Sequence, residues 1–148
     1  MRLRFEVIGE PVPQGSMVAI QSRNPGHENR PPFLKPGNEA KLKPWRQEIA
    51  NAATIAATDE QKLPKSEPVA VTILFVMPKP KAGRYSYPVQ GDVDKLVRAV
   101  LDGMTGVIYD DDTQVTNLAA VKRYALEGET VRALVTVETV SPDRSAGE

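Results

Sequence analysis

Six aspartates lie within 21 residues in the second half of the chain: Asp92, Asp94, Asp102, Asp110, Asp111 and Asp112. Only Lys95 and Arg98 offset them there, so the segment carries a formal charge of −4. Convergent carboxylates repel each other, and Mg²⁺, which prefers oxygen ligands, relieves that repulsion while bridging them to a phosphate. Such a site can activate water to hydrolyse a phosphodiester. The spacing leaves a second interpretation open, in which the acids stabilise a helix start and form a solvated turn.

A helix that starts at Asp92 must position the first of these acids. Asp92 suits the N-cap position, and Asp94 falls in the first turn, where the helix dipole favours negative charge. Asp94, Arg98 and Asp102 recur every four residues, so they line one side of the helix. An apolar stripe occupies another side: Leu96, Val97, Val100, Leu101 and Met104. We expect a short strand at 107–109 to deliver the acids of 110–112.

The stretch GDVDKLVRAVLDGMTGVIYDDDTQV, from Gly91 to Val115, resembles the signature of the RusA family of Holliday-junction resolvases. In that signature D-x-D opens a helix and a basic residue follows one turn later. L-D-x-[LM]-T-G then ends the helix, and D-D-[SAT]-Q-V begins the next strand. The close match covers about a sixth of the chain, and the remainder agrees in layout. The order of the predicted elements gives an α+β fold, a mixed β-sheet with two packed helices, similar to that of the RusA family.

The resemblance also implies the site. By position in the motif, Asp92, Asp94 and Asp112 would be the metal-binding and catalytic acids, holding Mg²⁺ or Mn²⁺, with Asp111 as the neighbouring acid. Arg98 takes the place of the family's essential basic residue, a lysine in the usual pattern. A guanidinium stays protonated, so we expect Arg98 to stabilise charge rather than transfer a proton. The implied activity is metal-dependent resolution of four-way DNA junctions by paired symmetric nicks, in recombination and repair, by a homodimer.

The loop before the helix combines basic and aromatic residues: Lys79, Lys81, Arg84, Tyr85 and Tyr87. Cationic side chains that contact phosphates and aromatic rings that stack on bases are typical of nucleic-acid binding. We therefore predict that this loop contacts DNA. The alternative is an exposed Pro-rich loop with ordinary surface charge.

Composition sets broader limits. The 148 residues predict a single domain over 1–140 and a polar tail over 141–148. The absence of cysteine excludes disulfides, thiolate zinc sites and cysteine nucleophiles. No apolar run approaches a membrane span and no leader is visible, so we expect no membrane partner and a cytoplasmic location in a bacterial or phage-infected cell. Because 19 basic residues balance 19 acidic ones, DNA binding must depend on local patches.

The other predicted elements are an alternating strand over 1–7, a helix over 44–58 with Trp45 in the core, a central strand over 69–77, and a hairpin of strands 115–125 and 130–140. Between the first two lies a long Pro-rich loop, 9–43. Its turn at Gln14, Gly15 and Ser16 offers two interpretations, a phosphate contact through backbone N–H groups or an ordinary flap.

The acidic residues allow comparison with three other classes of protein. In haloacid-dehalogenase-type phosphatases the first Asp of D-x-D ends a hydrophobic strand, whereas Asp92 follows Val89, Gln90 and Gly91. An EF-hand is excluded because the acids at 110–112 are consecutive rather than alternating. A noncatalytic junction-binding or interaction module with the same fold stays open, and the zero net charge favours it.

Overall fold

The computed structural model describes residues 1–140, without the side chain of Pro36. It shows the expected α+β fold: a mixed four-stranded sheet, a small two-stranded sheet and two helices. The strands are β1 (Arg2–Ile8), β2 (Met17–Ile20), β3 (Phe33–Pro36), β4 (Val69–Met77), β5 (Val115–Tyr124) and β6 (Arg132–Thr139); the helices are α1 (Glu39–Ala56) and α2 (Val93–Met104). A 3₁₀ turn, Asp112–Gln114, precedes β5. The predicted tail, 141–148, lies outside the described residues.

The main sheet has the order β1-β6-β4-β5. β4 is parallel to β5 and antiparallel to β6, which confirms the prediction of a central strand. Parallel neighbours need a crossover connection, and α2 supplies it between β4 and β5. In β1, alternate residues are buried, as the period of two predicts.

The predicted hairpin of the last two strands is wrong, because β4 lies between β5 and β6. The turn around Gly128 has the composition of a hairpin turn, yet the chain there crosses two strand spacings, about 10 Å. The predicted strand at 107–109 is also wrong. That segment is a turn, in which Tyr109 forms isolated bridges with Leu63 and Thr105.

Both helices cover the same face of the main sheet. The core consists mainly of Leu3, Phe5 and Val7 of β1, Val71, Ile73 and Phe75 of β4, Val135 and Val137 of β6, Leu42, Trp45 and Ile49 of α1, and Leu96, Val100 and Met104 of α2. Trp45 is thus a core residue, as predicted. The opposite face of the sheet is partly open to solvent: Arg2, Arg4 and Thr72 are exposed there, whereas Val76 is buried.

The two helices approach closely at Gly103. A Cβ at this position would lie 2.7 Å from Cγ2 of Ile49 and 3.2 Å from the carbonyl oxygen of Arg46. Any larger residue would push α2 away from α1, and with it the acids at both ends of α2.

The range 9–43 is only partly a loop. β2 and β3 pair within it as an antiparallel hairpin, and α1 begins at Glu39 rather than at the predicted Pro44. Pro44 lies inside the helix, where the missing N–H removes one backbone hydrogen bond. The earlier start follows from Asn38, whose side chain bonds to the loop before β2 and fixes the chain at the N-cap position.

Candidate metal centre and nucleic-acid interface

The start of α2 presents two carboxylates to solvent. Gly91 adopts φ +75°, which favours glycine, and the chain turns there into the helix. Asp92 occupies the N-cap position, but its side chain makes no capping hydrogen bond. That side chain is 68% exposed, with the Lys95 ammonium 3.8 Å away. Asp94 is exposed in the first turn and has no ion pair among residues 1–140. Both carboxylates are therefore available to a ligand.

Arg98 and Asp102 continue along the same side of α2. Arg98 is exposed. Asp102 is partly buried, and its carboxylate lies 4.0 Å from the Arg46 guanidinium. Burial raises the pKa of Asp102, Arg46 opposes that rise, and the negative charge of Asp112 adds to it. Asp112 is therefore a neighbour of Asp102, at the end of α2.

Gln114 organises the acidic run. Its side-chain oxygen accepts hydrogen bonds from the backbone N–H groups of Asp110 and Asp111, at 2.9 and 3.0 Å. Its amide nitrogen donates to the carbonyl oxygens of Pro64 and Glu67, at 2.8 and 2.9 Å. Gln114 is the buried polar residue of the described core. These four bonds fix the run against the segment before β4. Sequence reasoning gave Gln114 no role beyond the motif, because its partners at Pro64 and Glu67 are distant in the chain.

Two of the three consecutive acids have structural partners. Asp110 forms an ion pair of 2.6 Å with Lys62, and Asp111 one of 3.7 Å with Lys65. The Asp111 side chain also accepts a hydrogen bond from the N–H of Thr113, which lowers the pKa of that carboxyl. Asp112 is exposed and has no ion pair within residues 1–140. Of the run, Asp112 is thus the carboxylate left for a ligand.

One chain does not bring the three predicted metal ligands together. α2 has 12 residues and is about 18 Å long. The Lys122 ammonium donates to the carbonyl oxygen of Gly91 at 2.9 Å, so α2 starts beside the end of β5. Asp112 precedes the first residue of β5, and Lys122 lies about 23 Å further along that strand. Within residues 1–140, accordingly, no three carboxylate or imidazole groups are close enough to hold one ion. The assignment of Asp92, Asp94 and Asp112 to a metal stays a prediction.

The loop with the basic and aromatic residues connects β4 to α2. All five predicted DNA-contacting residues are exposed: Lys79, Lys81, Arg84, Tyr85 and Tyr87. The rings of Tyr85 and Tyr87 have centroids 5.5 Å apart and planes inclined by 37°. Pro88, by contrast, is buried and anchors the loop next to a groove lined by Glu10, Met77 and Tyr124. The loop leads into Asp92. Its contact with DNA stays a prediction.

The turn at Gln14 and Gly15 braces α2 with its backbone. The N–H of Gln14 donates to the carbonyl oxygen of Lys95 at 3.0 Å, in the first turn of α2. The N–H of Gly15 donates to the side-chain oxygen of Asn38 at 2.7 Å, and Asn38 donates to the carbonyl oxygen of Pro13. These two N–H groups therefore have protein partners, which argues against the phosphate-contact interpretation of this turn. A Cβ at Gly15 would lie 2.2 Å from the Asn38 oxygen, so the contact requires glycine.

Comparison with known proteins agrees with the motif. The profile of the family described as "Endodeoxyribonuclease RusA" matches residues 22–138. The chain is also 28% identical, over 138 residues, to the uncharacterized protein YqaN of Bacillus subtilis (strain 168), an alignment that covers 84% of this chain and 89% of YqaN. Neither helix within residues 1–140 is both long and apolar enough to cross a bilayer. The chain, with the signature at 91–115 inside the matched range, belongs to the RusA family of endodeoxyribonucleases.

Proposed function

We propose that this protein is a Mg²⁺-dependent, structure-specific endodeoxyribonuclease that resolves four-way DNA junctions by paired symmetric nicks. Membership of the RusA family supports the nuclease class. The observation that carries the proposal is a division among the aspartates. Asp110 and Asp111 form ion pairs with Lys62 and Lys65. Asp94 and Asp112 are exposed and form none within residues 1–140, and Asp92, which is 68% exposed, has only the Lys95 ammonium 3.8 Å away.

The residues present fit a hard divalent cation. Asp92, Asp94 and Asp112 would hold it through carboxylate oxygens, the ligands that Mg²⁺ and Mn²⁺ prefer. When bound, the ion would lower the pKa of a water and offset charge on the scissile phosphate.

Arg98, whose side chain lies near these acids, would support the same chemistry. It lies one turn beyond Asp94 on the same side of α2 and is exposed. Its permanent positive charge would stabilise the extra negative charge that develops on phosphorus in the transition state. The exposed loop 79–87 would hold the DNA backbone through its cations and stack bases on Tyr85 and Tyr87.

A four-way junction has two strands to cut, so a two-fold symmetric homodimer suits paired nicks. On this proposal the protein acts in DNA recombination and repair. It would do so in the cytoplasm of a bacterial or phage-infected cell.

A noncatalytic junction-binding module is the second candidate. Two observations favour it: the net charge of zero, and the separation of Asp92 and Asp94 from Asp112 within one chain. A calorimetric titration of the protein with Mg²⁺ or Mn²⁺ distinguishes the two candidate functions. A nuclease binds Mg²⁺ or Mn²⁺ and loses that binding in D92N, whereas a binding module gives no heat attributable to these acids.

The decisive experiment is cleavage of a labelled mobile four-way junction. We expect paired nicks with Mg²⁺ and none after chelation with EDTA. D94N should reduce the cleavage rate by at least about 100-fold while sparing junction binding, because loss of one ligand weakens the metal site. D110N is the matched control, since it removes the same charge from a residue that is paired with Lys62. Cleavage by D94N at the wild-type rate would overturn the proposal.

A further inference from the structure

The groove beside Pro88 is a cavity of about 230 Å³ where the ends of β4 and β5 meet the loop that leads into α2. Its walls are mainly apolar, and three of the lining residues are prolines, whose rings stiffen the backbone. The apolar wall consists of Met77, Pro78, Pro80, Pro88 and Val89. Clefts for drug-sized ligands have volumes of roughly 300–1,000 Å³. The smaller Pro88 groove therefore suits a single planar ring system.

Four polar side chains line the same groove without a protein partner. Within residues 1–140, none of the following forms a side-chain hydrogen bond or an ion pair: Glu10, Lys79, Gln90 and Tyr124. Tyr124 is half-buried, and its hydroxyl faces the loop, because a Cβ at Gly83 would lie 3.8 Å from it. Apolar walls with a few convergent polar groups are typical of a site that orients a small ring by its polar edge.

The position of the groove along the chain favours DNA as the source of that ring. Gln90 lies two residues before Asp92, so their Cα atoms are at most about 7 Å apart. That distance equals about two base-pair steps of 3.4 Å along a DNA strand. A strand with a phosphate at Asp92 and Asp94 would therefore have a neighbouring base within reach of the groove.

Cations lie along the same path. An adjoining cleft shares three lining residues with the Pro88 groove and extends to Gly91, the residue before Asp92. Lys41 lines this adjoining cleft, and Lys79 lines the groove itself. Both side chains are exposed and form no ion pair within the described part of the chain. Their charges suit the phosphates on either side of a bound base.

We propose that the Pro88 groove holds one unstacked base of the branched DNA, next to the phosphate at the start of α2. The base lies against the proline rings and Tyr124, and its polar edge faces Glu10 and Gln90. Taking a base out of the stack costs least where pairing is already disrupted, as at a branch point. This inference rests on the proposed binding of branched DNA. It is distinct from stacking on Tyr85 and Tyr87, which are exposed and do not line the groove.

The fluorescent base 2-aminopurine tests the groove, because its emission rises when it leaves the base stack. It replaces each base at the branch point of a four-way junction in turn, and EDTA prevents cleavage. We expect the wild-type protein to raise the emission at a branch-point position. V89W fills the groove with an indole ring and should abolish the rise, and Q90A, which needs no new space, should weaken it. I55W is the matched control, since it adds the same ring to an exposed position on α1 and should leave the rise unchanged.

Either of two results would overturn the base-binding groove. One is the absence of a rise at every branch-point position with the wild-type protein. The other is a rise that neither V89W nor Q90A lowers; its loss in Y85A/Y87A would then place the base on the exposed tyrosines instead. Because these measurements need no cleavage, they also separate the two proposals. If the wild-type protein cuts no junction with Mg²⁺, the nuclease proposal fails and the emission still decides the groove. If it cuts while the emission stays flat, the groove fails and the nuclease proposal stands.

Discussion

Lys122 donates a hydrogen bond of 2.9 Å from its ammonium group to the backbone carbonyl oxygen of Gly91. This bond joins the end of β5 to the residue that starts the D-x-D segment. Lys122 is partly buried, so the bond is shielded from water more than a surface contact is. It holds the start of α2, and with it the first two aspartates, beside the end of β5.

Replacing Lys122 by methionine should therefore loosen the start of α2. The charged donor is lost and the Gly91 carbonyl oxygen loses its side-chain partner, so we expect the free energy of unfolding to fall by about 1–2 kcal/mol. Urea unfolding followed by circular dichroism measures this. K122R, which keeps a charged donor, should lose less than half as much. Equal losses in the two variants would show that the hydrogen bond does not stabilise the fold.

Gln114 should be required for the position of the acidic run. Leucine at this site fills a similar volume but leaves two N–H groups and two carbonyl oxygens without their side-chain partner. We expect Q114L to lower the free energy of unfolding by about 3 kcal/mol. Junction cleavage should fall in parallel, because Asp112 lies inside the turn that Gln114 closes. Urea unfolding and single-turnover cleavage measure the two effects.

Q114E separates the two halves of this contact. It keeps the oxygen that accepts from Asp110 and Asp111 but loses the donors to Pro64 and Glu67. Its buried carboxylate would face those two carbonyl oxygens beside the acidic run, so we expect it to be less stable than Q114L at pH 7. A Q114L protein as stable and active as wild type would contradict the role assigned to this side chain.

Local pattern predicted the elements that carry the candidate site. The apolar stripe of α2 and the two apolar faces of β4 are each a periodic pattern within a single element. The sequence alone therefore reveals them. The start of α2 at Val93, after an N-cap at Asp92, follows from the same short-range rules. The motif is also contiguous in the chain, so it indicates the family without knowledge of the fold.

Long-range pairing was harder to predict. The turn at Gly128 looks like a hairpin because turn chemistry is local, whereas the insertion of β4 between β5 and β6 depends on contacts across the whole chain. The same limit hid Gln114, whose partners Pro64 and Glu67 lie 50 and 47 residues away. It also hid the distance between Asp94 and Asp112, since only the packing of α2 along β5 places them at opposite ends.

The loop before α2 should show its role in the salt dependence of binding. Each phosphate contact that a cation makes contributes about 0.9 to the slope of log affinity against log salt concentration. The triple variant K79A/K81A/R84A should therefore reduce the slope for junction binding by about 2–3 units if every cation contacts a phosphate. Fluorescence anisotropy at several salt concentrations, with EDTA to prevent cleavage, measures it.

K43A serves as the control for this measurement, because Lys43 is an exposed lysine on α1, outside the loop. Its slope should match that of the wild-type protein. An unchanged slope in the triple variant would show that the loop does not contact the DNA backbone.

Glu129 should make stability depend on pH at the turn between β5 and β6. Its carboxylate accepts two hydrogen bonds from the Arg123 guanidinium, one from the N–H of Leu126 and a longer one, of 3.4 Å, from the Arg132 guanidinium. The bond from Arg123 is the largest cause of a pKa lowered from the ordinary 4.5 to about 2. A carboxyl with a lower pKa in the folded state stabilises the fold above its unfolded pKa, and this stabilisation is lost as the pH falls.

The wild-type protein should therefore melt at a higher temperature than E129Q at pH 7. Because the stabilisation is lost between the unfolded and the folded pKa, the difference in Tm should shrink as the pH falls from 4.5 towards 2 and vanish near pH 2. Scanning calorimetry of both proteins across this range measures the effect. E127Q is the matched control, since Glu127 is an exposed acid in the same turn, and its Tm should track the wild type at every pH. If the gap between wild type and E129Q stayed constant down to pH 2, the ion pair with Arg123 could not be its source.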